Sequence, residues 1–258
     1  MWSRCLLSSR RALGARHFAS TPPRVMSAAK VGLRQLPLVD VSPLVAAADG
    51  TRQVAPETKA KILKEMRSAC IEAGFFTIPT KGVLSSQLIK EVYSRADEFI
   101  ALPDDVKRKY HCKQTPNARG WTPMFEEPSY QADVVSHLEG FDLARELPET
   151  FIKEGSSLGP NIWPAEVPRF REDVYGLYEE TTKLSTQHVG EEAEAFMRLL
   201  TYPESKTSVK NATNGEGLHL MNRQGVWVEA PVCDNRLFVM VGDMLEHWTN
   251  GVLAATEV

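Results

Sequence analysis

The sequence holds 258 residues, 43% of them hydrophobic and 24% charged, with a formal net charge of −3. That is enough for one sizeable core and a second small lobe, and it excludes a disordered or fibrous chain. The balance offers no basic patch for nucleic acid, and no apolar run reaches the roughly 18 residues of a membrane span.

The first segment has a composition of its own. No acidic residue precedes Asp40, whereas Arg4, Arg10, Arg11, Arg16 and Arg24 stand among Ser3, Ser8, Ser9, Leu6, Leu7 and Leu13. An Arg-rich, Ser-rich, acid-free stretch is the composition of a mitochondrial transit peptide. Arg16-His17-Phe18 before Ala19-Ser20 is similar to a matrix-protease cleavage site, and a cut after Phe18 takes the formal charge from −3 to −7. Residues 1–35 are read as transit peptide and linker, which makes the protein mitochondrial. The alternatives are a disordered basic tail, and a cytoplasmic form started at Met26.

Leu36-Pro37-Leu38-Val39-Asp40 reads as a short strand. Pro56 suits the first turn of a helix running to about Ala73, with Ile62, Leu63, Met66 and Ala69 on one apolar face and Gly74 as a left-handed stop. Phe75–Ile78 is a compact apolar strand. Ser85 or Ser86 caps a second helix that buries Leu88, Ile89, Val92, Ala96 and Phe99, and a turn at Leu102-Pro103 starts a short helix through Tyr110. Residues 111–165 read as loop, being rich in proline and glycine. A long helix over Arg169–His188 follows, with Phe170, Val174, Leu177, Tyr178 and Leu184 inward. Short strands then dominate: Phe196–Tyr202, Gly217–Met221, Val226–Val228 and Leu237–Val241. Helices first and strands afterwards predict a helical lobe on an antiparallel barrel or jelly roll. Cys5, Cys70, Cys112 and Cys233 form no C-x-x-C pair and read as free thiols.

Several blocks line up in order with one family. They include Ala73-Gly74-Phe75-Phe76, Lys107 with Lys109-Tyr110, Arg119-Gly120-Trp121-Thr122-Pro123, Glu139-Gly140-Phe141-Asp142 and Asn161-Ile162-Trp163-Pro164. Leu199–Glu204, Asn222–Trp227 and Val241-Gly242-Asp243 with Trp248–Gly251 complete the series. Across residues 36–258 the chain resembles the isopenicillin-N-synthase-like non-haem Fe(II)/2-oxoglutarate-dependent dioxygenases. The resemblance implies an α+β fold, with an N-terminal helical lobe at 36–165 and a long helix plus jelly-roll domain at 166–258. It also implies two histidines and one carboxylate around Fe(II), with open positions for 2-oxoglutarate and O₂. The family's reaction is oxidation of a small organic substrate, with decarboxylation of the 2-oxoacid.

The sequence departs from this pattern where the ligands belong. The family's His-x-Asp pair falls in the interval occupied here by Ser205–Glu216, which contains neither residue and is too short for the strands that carry it. The second histidine belongs after a segment like Leu253–Glu257, followed here by Val258, and the family's 2-oxoglutarate-binding Arg belongs beyond it. A third gap falls near Thr186–Glu194. The jelly roll is therefore read as incomplete, no metal ligand is assigned, and Fe(II) and 2-oxoglutarate are expected not to bind this chain. Unpaired strand edges predict self-association. A substitute triad of His219, Asp243 and His247, or the His137-x-Glu139 pair, is weighed against ordinary hydrogen-bonded side chains, and the latter is preferred. Tyr202 matches a tyrosine that the family uses on the co-substrate or substrate carboxylate, or else packs in the core. Arg119 sits where relatives hold an anionic part of the substrate, or else makes a surface salt bridge. Trp121, Trp163 and Trp227 are read as packing residues, Asp142 and Asp243 as turn or cap residues.

Overall fold

The computed structural model describes residues 29–30, 36–48, 50–127, 136–152, 157–186, 195–202, 218–221, 227–230, 235–253 and 255–256. The transit-peptide reading, the Ser205–Glu216 interval, Cys5 and Cys233 lie outside them.

After a two-residue strand β1 (Ala29–Lys30) and a short helix α1 (Ser42–Ala48), helix α2 covers Pro56–Glu72 with proline in its first turn. Ile62 and Ala69 are buried and Met66 packs beside them, but Leu63 is half exposed. The stripe runs Ile62–Met66–Ala69, and Leu63 sits a further 100° round the helix, at its margin. The Ala73 and Gly74 amides both donate to the Ala69 carbonyl, and Gly74 takes φ +80, the left-handed stop. The chain then enters β2 (Phe75–Pro79), antiparallel to β8 (Arg236–Met240). Leu36–Asp40 contributes only a bridge at Leu38 rather than the predicted strand: Val39 donates to Thr77 and Thr77 to Pro37, and the pairing goes no further.

Helix α3 spans Ser86–Ile100, capped by Ser85, whose hydroxyl accepts from the Leu88 amide at 3.2 Å. The turn beyond it holds α4 (Asp104–Lys107) and a 3-10 turn at Arg108–Tyr110. The long helix α5 covers Phe170–Thr186, one residue inside its predicted start because Arg169 takes a left-handed φ of +64. α3 and α5 pack through Val92, Phe99, Phe170, Val174 and Tyr178. Phe141 meets Phe99 at 5.2 Å and Phe170 at 5.1 Å, both edge-on, the arrangement aromatic rings prefer.

The loop-rich stretch expected over 111–165 also holds two strands that the sequence did not single out. β3 (Gly120–Thr122) and β4 (Glu139–Ala144) form a three-stranded sheet with β5 (Phe196–Thr201), in the order β3–β4–β5 and antiparallel throughout. Their polar and glycine content hid them, because one face packs on the helices and the other carries Asp142 and Gly140. Asp142 is thus a strand residue paired with Arg198, not a turn or cap. Gly120, at φ +108, lets β3 press on the Tyr110 backbone, where a β-carbon would overlap the Tyr110 carbonyl oxygen. The sheet draws strands from both sides of residue 166.

In the strand-rich half, β6 (Leu218–Met221) pairs with β7 (Trp227–Ala230), which also holds β1 in parallel. A six-residue helix α6 (Asp243–Trp248) follows β8, with Gly242 at its N-cap and Asp243 in its first turn. Two further clusters complete the interior. Val39, Val41, Ile62, Ala69, Phe76 and Ile78 form one, and Leu36, Phe75 and Leu220 the other.

Candidate functional site

Strand alternation builds the site. On β5, Met197 and Leu199 turn toward the helices, so Phe196, Arg198 and Leu200 turn away. Tyr202, just past the strand, continues that outward row and is 53% exposed. It is not the core aromatic that the packing alternative predicts. Register sets Asp142 opposite Arg198, Gly140 opposite Leu200 and Ala144 opposite Phe196. The outward face of the sheet therefore carries a charged centre flanked by apolar side chains.

Arg198 is engaged at that centre on all three guanidinium nitrogens. Its Nη1 and Nη2 donate to the two Glu127 carboxylate oxygens at 3.0 and 2.8 Å, and its Nε lies 2.5 Å from Asp142 Oδ1. A two-toothed guanidinium–carboxylate pair is both strong and directional. Glu127 is accordingly held below the usual carboxylate range by Arg198, and Arg198 is pushed up by Glu127. Asp142 goes the other way: burial raises its carboxyl, and the attraction of Arg198 only partly offsets it.

Arg119 joins this face from the start of β3. It is buried, with Nη2 donating to the Ser157 carbonyl at 2.6 Å and the guanidinium stacked 4.5 Å from the centre of the Phe196 ring. It does not lie at the surface, where the salt-bridge alternative put it; its planar cation stacks on an aromatic face. Its charge also reaches Asp142, a small further offset to the rise that burial causes there. The structure thus brings Arg119 to the same sheet face as Tyr202, at opposite ends of β5. Two guanidinium groups stand by this sheet face, Arg198 committed to two carboxylates and Arg119 buried on the Ser157 carbonyl and the Phe196 ring.

The other candidates separate. Trp121 is buried, its indole N–H on Glu139 at 2.9 Å; Trp163 is half buried and donates to Glu146 at 3.2 Å. Glu139 itself is spent on that indole and on Lys107 at 3.0 Å, so the His137-x-Glu139 pair is a structural one. His137 stacks obliquely on Phe125 at 5.2 Å. Asp243 and His247 lie four residues apart on exposed α6, while the side chains of His219 and Trp227 lie outside the described residues. Among the described residues no three His, Cys, Asp or Glu side chains converge closely enough to hold a metal ion. Also among them, no helix is long and apolar enough to cross a membrane. Sequence reasoning missed Arg198, Glu127 and Lys107. A lone arginine in the alternating run Phe196-Met197-Arg198-Leu199-Leu200 was the available signal for the first.

Helices packed on jelly-roll strands are the architecture of solved 2-oxoglutarate oxygenases. A full-length Neurospora crassa protein in complex with alpha-KG shares it at a TM-score of 0.70, covering 90% of this chain and 80% of that one at 20% identity. A 2OG-Fe(II) oxygenase family protein from Caulobacter crescentus does so at 0.67, covering 86% and 78% at 23% identity. In sequence, residues 36–166 match the family described as non-haem dioxygenase in morphine synthesis N-terminal. The chain is 28% identical over 235 residues to the 2-oxoglutarate-dependent dioxygenase caaD of Aspergillus niger, covering 76% of this chain and 72% of that protein. It is 27% identical over 268 residues to the homoarginine-6-hydroxylase 2-ODD-C23 of Glycine max, covering 86% and 79%. The chain belongs to the non-haem, 2-oxoglutarate/Fe(II)-dependent dioxygenase family.

Proposed function

We propose that this chain keeps the scaffold of its family without the oxidative chemistry, and that the gene's ancestral activity was 2-oxoglutarate-dependent oxidation of a small organic substrate. One observation carries the reading: Ser205–Glu216, where the family's His-x-Asp pair belongs, has no histidine and no aspartate. A facial site with one histidine and the carboxylate removed has too few ligands for ferrous ion. The alignments support internal loss. The stretch aligned with the soybean protein runs to 268 positions yet uses only 86% of 258 residues, so that relative carries residues with no counterpart here.

Titration of the purified chain with Fe(II) and 2-oxoglutarate under argon tests this, followed by a succinate assay in air. The expected result is no stoichiometric iron and no succinate. Tight one-to-one iron with succinate released from 2-oxoglutarate overturns it.

A second reading, a binding module that partners a full-length copy of the same protein, is favoured by the outward face of β5, where Phe196 and Leu200 are 56% and 40% exposed. Apolar side chains in a row on an open sheet face favour association. Sedimentation of the chain alone and mixed with the full-length protein separates self-association from hetero-association. Residues 1–18 direct import into mitochondria in either reading, and in the second reading Tyr202, exposed past the end of β5, is the residue open to a ligand carboxylate. Import into isolated mitochondria, with and without residues 1–18, tests the former.

A further inference from the structure

The reading above leaves one polar cluster unused, at the edge of β3. Cys112 opens a 3-10 turn (Cys112–Gln114), and its sulfur lies 3.9 Å from His111 Nδ1. The Thr122 hydroxyl donates to the same sulfur at 3.4 Å. The Lys113 amide donates to His111 Nδ1 at 3.1 Å, so that nitrogen carries no proton and the ring proton sits on Nε2. Nε2 is 3.2 Å from Glu126, whose carboxylate is kept ionised by the Lys113 ammonium at 2.7 Å. A thiol, an imidazole with its basic nitrogen toward the sulfur, and a carboxylate behind the imidazole form the arrangement that activates a sulfur nucleophile. Cys70 offers a contrast within the same chain: burial pushes its thiol up, away from the reactive form.

We propose that Cys112 is a nucleophilic thiol that forms mixed disulfides with low-molecular-weight disulfides, with His111 taking its proton, Glu126 orienting the imidazole and Thr122 holding the sulfur. The thiol proton passes to Nδ1 as the Lys113 contact is displaced. Sulfur then attacks one sulfur of the incoming disulfide, whose S–S bond breaks with its electron pair on the departing half. That half leaves as a thiolate and takes up the proton, so Cys112 is oxidised and one half of the reagent reduced. The Thr115 hydroxyl donates to both the Cys112 and Arg119 carbonyls, at 2.9 and 2.8 Å, which ties the turn carrying Cys112 to Arg119.

The test uses the full chain with glutathione disulfide as the probe, sampled over time by peptide mass spectrometry. Cys112 should form the mixed disulfide about tenfold or more faster than Cys70. Glu126→Gln and Thr122→Val should each slow Cys112 severalfold and leave the Cys70 rate unchanged. His111→Asn, which retains an acceptor for the Lys113 amide, should slow it most. Glu126 is exposed, so its variant folds even where the buried Thr122 variant does not. A Cys112 rate no greater than that of Cys70, or one that Glu126→Gln leaves unchanged, overturns the proposal.

Discussion

Lys107 and Glu139 make a buried ion pair whose cost and worth can be separated. Their residues are only 4% and 7% exposed, Nζ lies 3.0 Å from Glu139 Oε2, and the same oxygen accepts the Trp121 indole N–H at 2.9 Å. The ammonium also reaches the Ile100 carbonyl and Asp104 at 3.2 Å and sits 5.0 Å over the Trp121 ring. Breaking such a pair from one side strands a buried charge, at about 3–5 kcal/mol. Asp104 and the Ile100 carbonyl survive a Glu139→Leu change, which places that variant near the lower figure. Trp121 then loses its acceptor, which adds about 1–3 kcal/mol. Lys107→Met strands the carboxylate instead, with one indole donor left to it, and should cost about 3 kcal/mol. The double variant strands no charge, so the two changes together should cost about 2 kcal/mol less than their separate costs added. Urea unfolding at pH 7, followed by tryptophan fluorescence, measures all four proteins. Single-variant losses under about 0.5 kcal/mol, the value of an exposed pair, refute the reasoning, and so does strict additivity.

Ser85→Ala removes the hydroxyl that accepts the Leu88 amide and should cost about 1 kcal/mol, a fall in melting temperature of about 2–4 °C for a chain of this size. Gly120→Ala must push β3 off the Tyr110 carbonyl from a left-handed φ; a loss of about 2 kcal/mol or more in urea titrations is expected, and a neutral outcome refutes the close approach. Glu166 is held down at about 2 by the Tyr110 hydroxyl and then the Lys109 ammonium. A depressed carboxyl adds stability that is present above its ordinary value of 4.5 and is lost as pH falls toward about 2. The urea midpoint of the parent should therefore drop more steeply across that window than that of Glu166→Gln, and parallel curves refute the assignment.

The helices were legible because their signals are local. Pro56, Ser85 and Gly74 mark ends by backbone chemistry that tertiary context does not change, and the apolar spacing of α3 and α5 left one face to bury. The sheet was half legible. β2, β5 and β8 are apolar enough to show as runs, whereas β3 and β4 are carried by Gly120, Gly140, Asp142 and Glu139, residues whose strand role comes from partners far along the chain. Arg119 was singled out by family position alone. That it lies buried on the Phe196 ring depends on a strand about eighty residues on, which no local pattern records. Leu63 erred for the opposite reason: its periodicity was right, but the margin of a helical stripe is decided by what packs against it.

The same division between local and long-range partners separates the core from the outward sheet face. The principal cluster joins α3, α5 and the inward face of β3–β4–β5 through Phe99, Trp121, Phe141, Leu143, Phe170 and Val174. Every one of those residues lies on elements between Ser86 and Thr201, before the interval that lacks His-x-Asp. A core that packs on one face of the sheet does not draw its stability from whatever stands opposite the other face. The outward row of Phe196, Arg198, Leu200 and Tyr202 meets that other side, and three of its four members are at least 40% exposed. Changes confined to the outward face therefore come at little expense to the inward one. Arg198 fits this division: its charge is answered by Glu127 and Asp142, and Asp142 comes from within the sheet itself, so the polar centre of the face is balanced by the protein's own side chains.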